Sequence, residues 1–195
     1  MSWFPIDVFQ LGIDLLSISG HKFGAPKGIG ALYVRNDLHN DITPLQFGGE
    51  QEGGLRAGTL STPLCVALGE ACRVEIPSDD VSKWRQCSDA LFRGIARLFP
   101  DVVRIGTGEG HPGNVCVRIP GQDAQSLVAN LQPGIAASRG SACTSGIPEP
   151  SHVLRAIGLT ADQCAETLRF STAAETTLAE IEEVCRRISS IRSVP

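Results

Sequence analysis

Two rhythms of apolar and polar positions run along this chain, and together they predict most of its elements. Val81, Trp84, Leu91, Ile95 and Leu98 recur at helical spacing from about Asp79, which predicts a long helix with one apolar face and Ser78 as its N-cap. Ile181, Val184, Cys185, Ile188 and Ile191 form a second such stripe between Thr177 and about Ser193, and Thr177-x-x-Glu180 is a capping box at its start. Further helices are expected from Ser61 to about Val74, from Gln122 to Leu131, and opening at Pro150. Short apolar or alternating runs predict strands at Leu15 to Ile18, Gly30 to Val34, Ile42 to Leu45, Val102 to Ile105, Asn114 to Ile119 and Gly134 to Ala137.

The run Ile76-Pro77-Ser78 breaks the helical pattern, so a domain boundary is placed there, giving residues 1–77 and 78–195. In the second part the order β-α-β-α-β-α implies a small α/β domain. No internal repeat and no low-complexity segment is present.

Composition narrows the class. With 195 residues and 42% hydrophobic content the chain can bury a core. Its 17 basic and 21 acidic side chains give a net charge of −4, with no basic block, which argues against a direct nucleic-acid partner. The apolar runs fall far short of the ~20 residues a membrane helix needs. The first residues lack a basic region and a cleavage site, so no signal peptide is expected. Seven cysteines, an odd number without a Cys-x-x-Cys pair, argue against a disulfide framework or zinc cluster and fit a reducing compartment, hence a cytoplasmic location. Cys65, Cys72, Cys87, Cys164 and Cys185 fall in apparent helices, where cysteine acts as a small hydrophobe, and Cys116 alternates in a strand.

The first concentration of chemistry is Ser19-Gly20-His21-Lys22 and the glycine-rich run that follows it to Gly30. It lies at the carboxyl end of a predicted strand, the edge where open α/β sheets bind ligands. Only three lysines occur, and two of them, Lys22 and Lys27, flank this turn. A lysine held there can form an imine with a carbonyl cofactor, while Ser19 and His21 offer polar contacts to a phosphate. A solvated turn lysine accounts for the same residues. Lys27 does not open a Walker loop, because Gly28 stands where Ser or Thr is required. The stretch from Gly48 to Thr59 is, by composition, a flexible surface loop.

The second concentration is Ser138-Arg139-Gly140-Ser141-Ala142-Cys143-Thr144-Ser145-Gly146. It has no large apolar residue to anchor it, so Cys143 is expected in an exposed loop, with hydroxyls, amides and Arg139 favouring the thiolate. An idle surface cysteine remains the other reading of the composition. Arg169, by itself, is equally a strand-end ion pair. His152 is read as structural.

The order of these residues resolves the alternatives. Ser-Gly-His-Lys followed by Phe-Gly-Ala-Pro-Lys-Gly-Ile-Gly resembles the pyridoxal-phosphate lysine segment of cysteine desulfurases, within the class V aminotransferases. Arg56-Ala57-Gly58-Thr59 resembles the end of the family's glycine loop, Gly-Ser-Ala-Cys-Thr-Ser its persulfide-forming cysteine loop, and Leu168-Arg169-Phe170-Ser171 its arginine segment. Departures are Glu50 for a glycine, Gly53 for an arginine, Ala57 and Arg139 each for a serine, and Thr172-Ala173-Ala174 for Leu-Gly-Arg.

The resemblance implies the carboxyl-terminal part of a fold-type I pyridoxal-phosphate transferase: the end of the large-domain sheet plus the small α/β domain. It implies Lys22 and Cys143 as catalytic, Ser19, His21, Lys22 and Thr59 as cofactor-binding, and Arg169 as the holder of the substrate carboxylate. The implied reaction converts L-cysteine to L-alanine, with sulfur passing to Cys143 as a persulfide and then to an acceptor protein. Selenocysteine lyase and other class V aminotransferases are the weaker options within the enzyme class. In the family a preceding half carries the rest of the sheet and of the cofactor site. The implied partners are therefore either a second copy or a missing amino-terminal half, and a non-catalytic remnant is the alternative.

Overall fold

The computed structural model of the chain describes residues 5–74, 77–106, 110–139 and 150–192. The chain divides into two units, Met1–Ile76 and Pro77–Pro195.

In the first unit, strands β1 (Leu15–Ser19) and β2 (Gly30–Val34) form an antiparallel pair with Ser19 opposite Gly30. Gly30 is required there, because a Cβ at that position would run into the Ile18 carbonyl oxygen. The link opens with a 3-10 turn, Gly20–Lys22, and uses glycine again at Gly24 and Gly28, whose φ values of 98° and 95° lie where side chains are disfavoured. At the far end of the pair Arg35 forms ion pairs with Asp14 and Asp37. The strand expected at Ile42 to Leu45 does not form. Pro44 has no N–H to give to a ladder, and Leu45 stands 96% exposed. Helix α1 (Thr62–Arg73) follows, with proline in its first turn, where a missing N–H costs nothing.

The second unit holds the core. Helix α2 (Ser78–Leu98) buries Cys87, Leu91 and Ile95 four residues apart. Its N-cap position is Pro77 rather than Ser78: the Asp80 and Val81 amides donate to the Pro77 carbonyl, so Ser78 is already helical. Strands β3 (Val103–Arg104), β4 (Asn114–Arg118), β5 (Ser138–Arg139) and β6 (Thr167–Ser171) form one antiparallel sheet in the order β3-β4-β6-β5. The expected strand at Gly134 to Ala137 is displaced, since pairing with β6 takes place at Ser138 and Arg139.

Val115 and Val117 of β4 and Leu168 and Phe170 of β6 point to one face of this sheet and are buried. They join α2, α3 (Ala124–Leu131) and α6 (Leu178–Arg192) in one apolar cluster. Each fully buried side chain of this size is worth roughly 1.5–3 kcal/mol relative to exposure. The capping box at α6 is present: Glu180 N–H donates to Thr177 Oγ1 at 3.3 Å, and Thr177 N–H to Glu180 Oε2 at 2.8 Å.

Two short helices, α4 (His152–Ala156) and α5 (Ala161–Ala165), precede β6. Cys87 and Cys164 are buried, Cys65, Cys116 and Cys185 are half-buried, and Cys72 is exposed, so Cys72 is not the core residue its neighbours predict. No helix among the described residues is long and apolar enough to cross a membrane.

Candidate active site

The residues expected to do chemistry fall in both units. In the first, Ser19, His21 and Lys22 share one turn. Gly20 N–H donates to the Ile29 carbonyl at 3.1 Å, while the Phe23 and Ala25 amides both donate to the Gly20 carbonyl at 3.1 Å. Gly20 and Ala25 are buried, so the turn rests on its own small residues and leaves Ser19, His21 and Lys22 outside. Ser19 Oγ and His21 Nδ1 are 3.2 Å apart, one hydrogen bond that fixes the imidazole beside the hydroxyl. Lys22 is exposed and forms no ion pair among the described residues.

This donor set fits a phosphorylated carbonyl cofactor. A hydroxyl and an imidazole suit phosphate oxygens, and an uncommitted amine suits an aldehyde.

The glycine loop is more fixed than its composition implies. Arg56 Nη1 donates to the carbonyls of Ala57 at 3.1 Å and Gly58 at 3.2 Å, and Gly58 N–H donates to Gln51 Oε1 at 3.0 Å. Glu52, Gly53 and Gly54 take φ values of 54°, 64° and 83° in succession, so Gly53 suits a left-handed stretch where a side chain would be strained. Thr59 is exposed at the loop's end and shares no hydrogen bond with the Ser19 to Lys22 turn among the described residues.

In the second unit Arg169 occupies the middle of β6, on the face opposite Leu168 and Phe170. Cys116 of β4 is its partner on one side and Ser138 of β5 on the other. Both neighbours are small and neither is acidic. Arg169 Nε is buried without a hydrogen-bond partner among the described residues. A buried donor left unpaired costs about 1–3 kcal/mol, so among the described residues this Nε has room for an acceptor that none of them provides.

Its neighbour Arg118 likewise has a buried Nε without a hydrogen bond among the described residues, but that Nε lies 3.3 Å from Glu166 Oε2 in an ion pair, and Glu166 Oε1 accepts from Gly121 N–H at 2.7 Å. Burial pushes the Cys116 thiol up, and the Arg169 charge partly opposes it. Cys116 was not among the expected site residues. The Val115-Cys116-Val117 alternation is the signal that places it on this polar face.

Trp84 Nε1 donates to Thr172 Oγ1 at 2.9 Å, and Ser88 Oγ lies 3.0 Å from the same hydroxyl, so α2 anchors the segment that leaves β6 just after Arg169. Thr172 is one of the departures from the family pattern. Arg139 Nη1 donates to Gln125 Oε1 at 2.8 Å. Cys143 and the loop around it lie outside the described residues. His152 opens α4 and is exposed.

The first unit thus carries a lysine turn at the carboxyl end of a strand, and the second an arginine with a buried, unpartnered Nε on the polar face of its antiparallel sheet, in a chain whose α/β content is that of a transferase fold. The sequence model of the aminotransferase class-V family matches residues 1–184, and the chain belongs to that family. It is 42% identical over 181 residues to the human protein named cysteine desulfurase, covering 91% of this chain and 39% of that one. A solved NifS-like protein superposes with a TM-score of 0.85 at 29% identity, covering 98% of this chain and 49% of its own. The solved SspA in complex with cysteine gives a TM-score of 0.69 at 34% identity, over 88% of this chain and 47% of its own. The chain thus spans less than half the length of these relatives.

Proposed function

We propose that this chain is part of a cysteine desulfurase that takes L-cysteine, leaves L-alanine and passes sulfur through Cys143 to an acceptor protein. The observation that carries the reading is Arg169, a guanidinium with a buried, unpaired Nε and no acidic neighbour in register, which suits the carboxylate of an amino-acid substrate. The named relatives and the structure of SspA with cysteine support the same substrate.

Pyridoxal phosphate, when bound, supplies an electron sink for the amino acid's Cα. Ser19 and His21 would hold its phosphate, and Thr59, from this chain or from a partner copy, would contribute to the same group. Lys22 would bind its aldehyde and then move the substrate's Cα proton. Arg169 fixes the substrate carboxylate, which orients the side-chain sulfur toward an incoming thiolate. Cys143 forms the new S–S bond as the substrate's C–S bond breaks, and a proton completes alanine. An odd number of cysteines without a Cys-x-x-Cys pair supports the cytoplasm, a reducing compartment, as the setting proposed for this chemistry.

The test is an absorbance titration with pyridoxal phosphate, followed by borohydride reduction and peptide mapping, then incubation with L-cysteine. A reduced adduct on Lys22 and cysteine-derived sulfur on Cys143 are expected. Lys22→Ala removes the first and Cys143→Ala only the second. An adduct that persists in Lys22→Ala, or an undiminished persulfide yield in Cys143→Ala, overturns the assignment.

A further inference from the structure

A hollow of about 240 Å³ lies within the second unit, and none of its lining residues takes part in the reaction proposed above. Helix α2 contributes Arg85, Ser88 and Asp89, which share one face because they stand three and four residues apart. Strand β3 contributes Arg104, and the turn into β4 contributes His111 and Asn114. Ser88 is buried, and its Oγ donates to the Pro112 carbonyl at 2.6 Å. The His111 ring meets Trp84 of α2 edge to face at 4.8 Å. The turn is therefore pinned to the helix at two points, and the hollow between them keeps its shape.

Its charge is one-sided. Arg85 and Arg104 are both half-buried, and Asp89 is the only carboxylate among the described lining residues. Arg104 Nη1 donates to Asp89 Oδ1 at 2.8 Å, while its guanidinium carbon lies 5.4 Å from the centre of the Phe92 ring. These two contacts fix the plane of a group with five N–H donors, of which the carboxylate takes one. Partial burial, and after it the Arg85 charge, lower the pKa of His111, so the ring is neutral at about pH 7. Because Nδ1 accepts from Gly113 N–H at 3.1 Å, the remaining proton sits on Nε2, which makes that atom a donor.

We propose that this hollow binds a phosphate group, as the free ion or carried on a small molecule. A carboxylate has two oxygens in one plane, and a single arginine fork satisfies both. Two guanidinium groups on different elements, with an imidazole N–H and the Asn114 amide, suit an ion whose oxygens point in three dimensions. The volume is below the roughly 300 Å³ at which sites for drug-sized ligands begin, so the ligand is small. Ile105 and Pro112 add an apolar wall on which the carbon of an ester could rest.

The experiment titrates the isotope-labelled chain with inorganic phosphate, glycerol 3-phosphate and succinate, at constant ionic strength and without pyridoxal phosphate. Nuclear magnetic resonance follows the Gly110, His111 and Asn114 amides. Saturable shifts are expected with both phosphate probes and none with succinate. Tighter binding of glycerol 3-phosphate identifies an ester as the ligand, and tighter binding of inorganic phosphate identifies the free ion. Arg85→Gln and Arg104→Gln should each weaken binding about tenfold or more. Asp89→Asn removes the opposing charge and should strengthen it about threefold or more. Arg97→Gln, on α2 but outside the hollow, should leave it unchanged. Amide exchange in β4 and β6 reports that each variant is folded. Four results overturn the proposal: no saturable shift with either phosphate probe, succinate bound as tightly, phosphate weakened by Asp89→Asn, or a loss in Arg97→Gln equal to that in the other two arginine variants.

Discussion

Gly94 of α2 and Cys185 of α6 meet so closely that a Cβ on the glycine would lie far inside van der Waals contact distance of the cysteine sulfur. The missing side chain is what lets the two helices approach over the sheet. Gly94→Ala should gain about 1 kcal/mol of helix propensity and lose about 1–3 kcal/mol to overpacking, a net destabilisation of up to about 2 kcal/mol in urea unfolding. Cys185→Ala in the same chain removes the obstructing sulfur and should recover most of that loss. Strictly additive effects of the two changes would show that the contact does not set the helix spacing.

That glycine illustrates what the sequence makes legible. The stripe from Val81 to Leu98 announces a helix with one buried face, and the Thr177 and Glu180 pair announces where α6 starts, because both depend only on residues three or four apart. The Gly94 and Cys185 contact joins residues far apart in sequence, and nothing local reports it. The same reason explains the misplaced strands. Ile42 to Leu45 has strand-like residues but no partner among the described residues, and β5 sits at Ser138 and Arg139 because β6 pairs there. Helix α5 was open to detection through its Thr160 and Gln163 capping box, which the structure contains. At the site, the turn carrying Lys22 was legible from its own glycines, whereas the unpaired state of Arg169 depends on which side chains two other strands set beside it.

Gly20 tests how rigidly that turn presents Lys22. A Cβ there would lie 3.0 Å from both Ala25 Cβ and the Ile29 carbonyl oxygen, and 3.1 Å from Ile29 Cγ2. Gly20→Ala must therefore push the turn outward by a few tenths of an ångström while leaving Ser19, His21 and Lys22 chemically intact. Faster exchange of the Ala25 amide is expected, together with an adduct at Lys22 that needs more pyridoxal phosphate to form, by about tenfold for a loss of about 1.4 kcal/mol. Unchanged exchange and unchanged affinity would mean that the turn adapts freely and does not position the lysine.

Arg169 separates a residue kept for a ligand from one kept for stability. Its unpaired Nε makes the folded chain less stable than it could be, so Arg169→Met, similar in length and without donors, should leave the unfolding free energy unchanged or raise it by up to about 1–3 kcal/mol. The same variant removes the charge that holds down the Cys116 thiol, so Cys116 should titrate higher and alkylate more slowly at fixed pH. A clear loss of stability would show instead that the guanidinium supports the sheet.

The acid sensitivity of the second unit should pass through His111. Its ring meets Trp84 edge to face at 4.8 Å, and its Nδ1 accepts from Gly113 N–H at 3.1 Å, a bond that requires an unprotonated Nδ1. Burial lowers its pKa from the ordinary value, and the nearby Arg85 charge lowers it further. The unfolded chain, with histidine near 6.5, therefore binds more protons than the folded one as pH falls. This contribution to stability is complete above about pH 6.5 and is lost as pH drops toward the folded-state value. Nuclear magnetic resonance titration should give His111 a pKa below that of a free histidine, and Arg85→Gln should raise it. His111→Gln, whose amide oxygen can accept from Gly113, should flatten the decline in stability between about pH 7 and 5. A folded-state value at about 6.5 would abolish this slope and one above it would reverse its sign, and the decline would then have to originate elsewhere.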